Sequence, residues 1–312
     1  MDFDQLTTFI EVATQGNFSR AGEKVLRSQP AVSAQIRQLE NEYGEKLFDR
    51  TKKSVRLTQA GELLFDYAQR LLALRNESLR AIADQGSVTR GVLSIGANET
   101  TFLYVLTDIM AQYRKLYPKV RTSIYRNFSQ KVLEKVEDGA IELGVVTLPI
   151  KVPSLKVMRL FRDPLIWIVA PDNPLATQKK VTLNDIAGQE LIMHKVGSLR
   201  RLMDSQMRPF RPRLKVTMEL TSAAVVKKFV AAGFGVSLIG ASFVQDEVRA
   251  GQLKVLPVEE EREWRELGLV YHRDRSLSHA AKAFLDVARK HVAKNMASIV
   301  PKPLVAANND EL

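Results

Sequence analysis

The chain has 312 residues and no cysteine. That absence excludes disulfides, thiolate metal sites and thiol redox sensing, and it is compatible with a reducing cytoplasm. Histidine is scarce: His194, His272, His279 and His291 are the full set. None has the spacing of a zinc-binding pair, and no cysteine could complete a mixed site. No apolar run reaches the roughly 18 residues that a membrane helix needs. The N-terminus, with Asp2 and Asp4, lacks the basic and apolar regions of a signal peptide. A nucleophile elbow and a phosphate-binding P-loop are missing as well. Gly233-Phe234-Gly235 with Gly240 has the outline of a dinucleotide fingerprint. It lies between a helix and the next strand, however, whereas the motif must follow a strand and open a helix. Turn glycines explain it better. No catalytic constellation is left, and no enzyme activity or cofactor is expected.

What is present in excess is positive charge. Lys and Arg number 46 against 35 Asp and Glu, for a net charge of +11. That balance suits a polyanionic partner, although basic membrane-surface proteins share it. The length allows at least two domains.

Residues 17–61 are the most informative stretch. Phe3, Leu6, Ile10 and Ala13 recur at helical spacing and predict a first helix with one buried stripe, broken at Gly16-Asn17. Ser19 is the expected N-cap of a second, short helix carrying Ala21, Val25 and Leu26 inward. Ser28 caps a third, with Pro30 in its first turn, where a missing N–H costs nothing. In that helix Val32, Ile36, Leu39 and Tyr43 share one side, and Gly44 ends it.

The opposite side offers Pro30, Ala34, Arg37 and Asn41, with Gln29 and Ser33 at its leading edge. A helix that is small and polar near its N-terminus can enter a DNA groove end-first. Gln29 can pair with adenine, Arg37 can reach guanine or a phosphate, and Ala34 can touch a thymine methyl. The same face would also suit a packing unit that simply meets water. Arg50, Lys52, Lys53 and Arg56 then crowd the tip of a short hairpin ending Val55-Arg56-Leu57. Charge runs are usually solvated faces. This one directly follows a helix-turn-helix, where such residues hold phosphates and position without specifying sequence.

Ser28-Gln29-Pro30-Ala31-Val32-Ser33, then Ile36, Leu39-Glu40, Gly44, Leu47-Phe48, Arg50, Leu57-Thr58 and Ala60-Gly61 resemble the winged-helix signature of LysR-type transcriptional regulators. The match is long and gap-free. One departure is Ala21-Gly22, where the family usually has two alanines; a helix glycine costs about 1 kcal/mol against alanine. The resemblance implies a regulator that binds double-stranded DNA in the cytoplasm, with RNA polymerase a further candidate partner. An enzyme fused to a DNA-binding module and an architectural DNA-binding protein without an effector are the alternatives.

From Thr58 to about Ala83 one long helix is expected, closed by Gln85-Gly86-Ser87. Leu64, Tyr67, Leu71, Leu74 and Ile82 fall near a three-four alternation suited to a partner helix. A helix packed on its own domain would show the same stripe. The resemblance implies an antiparallel linker-helix dimer, assembled further into a dimer of dimers.

After Arg90-Gly91 strands and helices alternate, the mark of an α/β domain. Strands are expected at 92–97, 120–125, 143–146, 165–170, 191–193, 214–220, 236–239 and 267–271. Helices are expected at 100–117 (burying Leu106, Ile109, Met110 and Tyr113), 130–139, 183–187, 199–207, 223–232 and from about 278 to 292. The resemblance implies a two-lobed effector domain similar to periplasmic binding proteins. The expected division is a winged helix-turn-helix at 1–58, a linker helix at 59–88 and an effector domain at 89–295. Lobe one would comprise 89–162 and 267–295, and lobe two 163–266, with crossovers near 161–164 and 264–267. Residues 296–312 read as a loose tail.

In such folds ligands meet the carboxyl ends of strands and helix N-termini. Asn98-Glu99-Thr100-Thr101, Asn127-Phe128-Ser129, Thr147, Val196-Gly197-Ser198 with Arg200 and Arg201, and Thr221-Ser222 occupy such junctions. Carried over from the family, Thr100, Thr101, Ser129, Thr147, Ser198 and Thr221 line the effector pocket, with Asn98 and Arg201 beside them. Ser and Thr before a helix are more often plain N-caps than ligand contacts. Free helix N-termini and the arginines favour an anionic metabolite, while Glu99 asks for an amine or hydroxyls.

Overall fold

The computed structural model describes residues 1–49, 55–83, 91–260 and 263–295. Arg50, Lys52 and Lys53, the helix end at Gln85-Gly86-Ser87 and the 296–312 tail lie outside the described residues. The chain forms two compact units, one within residues 1–85 and one that begins at residue 86.

The head opens with α1 (Phe3–Gln15), which Asp2 caps: its carboxylate accepts from the Gln5 N–H while the Gln5 side chain accepts from the Asp2 N–H. The buried face is Leu6, Phe9 and Val12 with Gln5 and Thr8. This corrects the expected stripe by one step: Phe3 is exposed, and Ile10 and Ala13 are half-buried, because the packing partners Phe48 and Phe65 meet Phe9. The cap of α2 (Phe18–Val25) is Asn17, not Ser19: Asn17 is extended, and its side-chain oxygen takes the N–H groups of both Ser19 and Arg20. Leu26, expected inward, is 92% exposed, because α2 has ended there in a left-handed turn.

Ser28 caps α3 (Gln29–Tyr43) through the Ala31 N–H, and Gly44 ends it. Val32, Ile36 and Leu39 are buried, but Tyr43 is exposed at the helix end. Strands β1 (Phe48–Asp49) and β2 (Arg56–Leu57) pair antiparallel, and α4 (Gln59–Ala83) follows as a helix of 25 residues.

The body begins with β3 (Gly91–Ala97), then α5 (Glu99–Thr101), a π-helical segment Phe102–Leu106 and α6 (Thr107–Leu116). A single regular helix was expected here. The π segment carries a wider turn, and such insertions recur at functional sites. Next come β4 (Val120–Arg126), α7 (Ser129–Glu137), β5 (Leu143–Thr147) and β6 (Leu155–Val169). Lobe two adds α8 (Leu183–Ala187), β7 (Glu190–His194), α9 (Gly197–Gln206), β8 (Lys215–Leu220), α10 (Ala223–Ala231), β9 (Ser237–Gly240), α11 (Gln245–Arg249) and β10 (Lys254–Val255). The chain returns through β11 (Trp264–His272) to α12 (His279–Asn295).

The main sheet has the order β10-β6-β11-β5-β3-β4, with β9 also on β6. Strand β6 starts at Leu155, ten residues before the expected strand at 165, because Lys156, Arg159, Arg162 and Asp163 conceal its pattern. It pairs antiparallel with β11 from Leu155 to Pro164, then with β9 and β10. Both crossings between lobes are thus continuous strands.

Alternation sets the cores. In β6, Leu165, Trp167 and Val169 face α8 and α9, while Ile166 and Ile168 face α10. In lobe one, Leu143 and Val145 of β5 pack with Ile109, Tyr113 and Phe284, while Val146 meets Val132 and Val136 of α7. Among the described residues no helix is long and apolar enough to cross a membrane.

Candidate functional site

In the head, α3 turns one side inward and one outward. Gln29, Pro30, Ala34, Arg37 and Asn41 are exposed, as is the cap Ser28, and Ser33 is half-buried. The Gln29 amide donates to Ser33 Oγ at 2.9 Å. That bond uses one of its two amide N–H donors, and its carbonyl is a further acceptor on the exposed face. On the far side, Thr8 Oγ1 donates to Gln35 Oε1 at 2.7 Å, and buried Glu40 accepts from the Leu47 N–H and from Lys46 Nζ, each at 3.1 Å. These bonds clamp α3 from behind. In the hairpin, Arg56 is exposed.

The expected seam on α4 divides in two. Leu64 is buried and Leu71 half-buried in the head's own core, with Ala68. Leu64 is therefore corrected from a partner contact to a core residue, since α1 and the hairpin already cover that side. Tyr67, Leu74 and Ile82 are 52%, 62% and 68% exposed, and Leu63 and Leu79 are exposed beside them.

In the body the junction residues have structural duties of their own. Asn98 Oδ1 accepts from the Thr101 N–H and from Thr100 Oγ1. Ser129 Oγ accepts from the Thr147 N–H at 3.2 Å. Thr101 is buried, and its Oγ1 has no partner among the described residues. Glu99 joins three junctions: it pairs with Arg126 at 3.3 Å and accepts from Ser222 Oγ of lobe two at 3.2 Å. The Lys195 N–H donates to Leu220 O at 2.8 Å, which sets the Ser198 loop beside the Thr221-Ser222 turn. Arg200 is occupied by Asp204 and Glu219, whereas Arg201 is exposed. Thr221 is exposed and Ser198 half-buried.

A cavity of about 540 Å³ lies beside the crossing strands, lined by Leu148, Pro149, Val157 and Trp264 with Arg159 and Arg162, and by none of the predicted residues. The crossing itself holds a charged pair that sequence reading passed over. Asp163 and Arg265 meet at 3.1 Å with side chains 1% and 3% exposed. Asp163 also accepts from Ser242 N–H and Oγ, each at 3.0 Å. Burial pushes the Asp163 carboxyl above its ordinary range, against the pull of Arg265 and Ser242, and burial lowers Arg265. His194 is buried, donating from Nε2 to Leu238 O at 3.0 Å; burial, helped by the Arg265 charge, holds its pKa below the ordinary value. That is a packing role. At Gly235, with φ +141°, a Cβ would lie 2.3 Å from Glu190 O, so the glycine pattern there serves a tight turn.

A family model described as the LysR substrate binding domain matches residues 86–293. Another, for bacterial regulatory helix-turn-helix proteins of the lysR family, matches residues 3–62. A protein of Trichormus variabilis named "Probable RuBisCO transcriptional regulator" is 30% identical over 288 residues, 90% of this chain and 86% of its own length. The "Uncharacterized HTH-type transcriptional regulator YfeR" of Shigella flexneri is 31% identical over 303 residues, 96% of this chain and 97% of its own. The solved structure of CbnR, a LysR family transcriptional regulator, matches with a TM-score of 0.63 at 21% identity, covering 94% of this chain and 99% of that one. CbnR has also been solved with its target DNA, at a TM-score of 0.62, 21% identity and coverage of 93% and 99%. Those two likenesses are of fold.

Proposed function

The chain belongs to the LysR family of bacterial transcriptional regulators, and on that premise we propose how its parts divide the work. It is a DNA-binding transcription regulator and not an enzyme. Helix α3 enters the major groove, where Gln29, Ala34 and Arg37 read base edges while Ser28, Pro30 and Ser33 bring the helix end close. Arg56, with Arg50, Lys52 and Lys53, holds phosphates. The observation that carries this reading is the face of α3. Its outward residues are exposed and its inward ones locked by packing and buried hydrogen bonds.

Footprinting on the regulator's own operator and on random DNA tests the division. Gln29→Ala and Arg37→Ala should each lose about 1–3 kcal/mol of discrimination. Arg56→Ala should weaken both DNAs alike and flatten the salt dependence by about one unit of slope. Equal losses on both DNAs from all three variants would remove the distinction between readers and positioners.

Two copies meet along the exposed Tyr67, Leu74 and Ile82 of α4, with the half-buried Leu71 at its margin, as the first stage of a dimer of dimers. The protein acts in the cytoplasm, with RNA polymerase as a further partner. The body binds a small metabolite among Asn98, Thr100, Thr101, Ser129, Thr147, Ser198, Arg201 and Thr221. An anion is favoured by the helix N-termini and Arg201, with a hydroxyl or amine for Glu99.

Melting the full chain with carboxylates and sugar phosphates tests this assignment. A ligand at about 100 times its Kd adds about 2.7 kcal/mol. Thr101→Val should abolish that gain without lowering the baseline, since the lost hydroxyl had no partner among the described residues. A saturable shift that survives Thr101→Val would count against the site, and no shift with any anion would count against the ligand class.

A further inference from the structure

Tyr104 belongs to lobe one, at the middle of the π segment Phe102–Leu106. Its ring nevertheless packs with the lobe-two core of Ile168, Val226 and Phe243. The Tyr104 and Phe243 rings lie 5.2 Å apart, and the Arg265 guanidinium lies over the Phe243 ring, 4.3 Å from its centroid. Phe243 therefore sits between the lobe-one knob and the buried pair on the crossing strands.

Lys227 of α10 completes the contact. It is only 5% exposed, and a buried ammonium must satisfy its three N–H groups. Two partners come from lobe two: the Phe243 carbonyl at 2.6 Å and the Glu247 carboxylate. The third is the Tyr104 hydroxyl of lobe one, at 2.7 Å. Separating the lobes here would strip one proton of a desolvated cation of its acceptor. It would also open the ring contact. Both costs fall on one residue.

We infer that Tyr104 is a latch that fixes the angle between the two lobes, held by Lys227 and Phe243 and carried on a π segment that begins directly after Thr101. The latch depends on the effector reading only for its biological use; the angle it sets is measurable without ligand or DNA.

The sequence has no cysteine, so two introduced cysteines are unique labelling sites. Ala111→Cys on α6 and Ser205→Cys on α9 are exposed positions in lobes one and two. Spin labels on the full chain, diluted with unlabelled chain to remove distances between copies, report the lobe separation by electron–electron resonance. Tyr104→Phe keeps the ring and loses the hydroxyl, and should broaden the distance distribution. Tyr104→Ala loses both and should shift it further. Distributions for both variants that superimpose on the labelled parent would overturn the latch. Should Tyr104→Ala fail to fold, Tyr104→Phe alone decides, because a Phe fills the same space.

Discussion

The head and the body place their working groups in opposite ways. Every outward residue of α3 comes from one helix of 15 residues, so the face exists as soon as that helix is capped and packed. In the body, the contact that joins the lobes pairs Glu99 with Ser222, 123 residues away, and Lys227 with Tyr104, also 123 residues away. A reading surface can be made locally and rigid. A surface shared by two lobes needs groups from both, and its geometry changes whenever those lobes turn.

The sharpest way to break this comparison is at the crossing. Asp163→Ala would leave Arg265 buried without its partner and should cost the body about 3–5 kcal/mol. Both tryptophans, Trp167 and Trp264, belong to the body, so their fluorescence in urea follows that unit alone. Unchanged body stability would show that the pair is not what holds the crossing.

The head can be probed where two effects of opposite sign compete. Helix propensity says that Gly22→Ala gains about 1 kcal/mol. A Cβ at Gly22, however, would lie 2.6 Å from the backbone oxygen of Arg27, whose own N–H donates to Gly22 O in the turn before α3. Overpacking against backbone costs about 1–3 kcal/mol. A net loss is expected in the head's melting transition, with tryptophan fluorescence unchanged; a gain would show that the turn yields.

The smallest expected effect is a pH slope. Burial depresses the His194 pKa, so the unfolded chain takes up the proton first as pH falls below about 6.5. Stability from the neutral imidazole is full above that value and is lost as pH falls toward the folded pKa. The body's melting temperature should therefore decline on acidification, and His194→Gln should flatten that decline. An identical slope in the variant would assign it to other groups.

Much of the head could be read directly because its signals are local. Ser28, Pro30 and Gly44 mark the ends of α3 within a turn of where they act, and the Val32, Ile36 and Leu39 spacing marks its inner face. The body's alternation of strands and helices was legible for the same reason. The side of α4 that is covered was not. Leu64 and Tyr67 belong to the same three-four pattern, yet one is buried in the head and the other exposed. Pattern reports that a stripe is apolar and says nothing of what reaches it.

Strand β6 was cut short because ionisable residues signal solvent, while Asp163 is ionisable and buried. Its partner Arg265 lies 102 residues away. Lys227 and Tyr104 gave no motif at all. Sequence by itself determined the family signature, the capped helix α3 and the α/β character, since each depends on neighbours within a few residues. Only the tertiary structure decided which charges are buried, which apolar side of α4 is free and which side chains tie the lobes. Desolvation and pairing depend on groups that the chain brings together only when it folds.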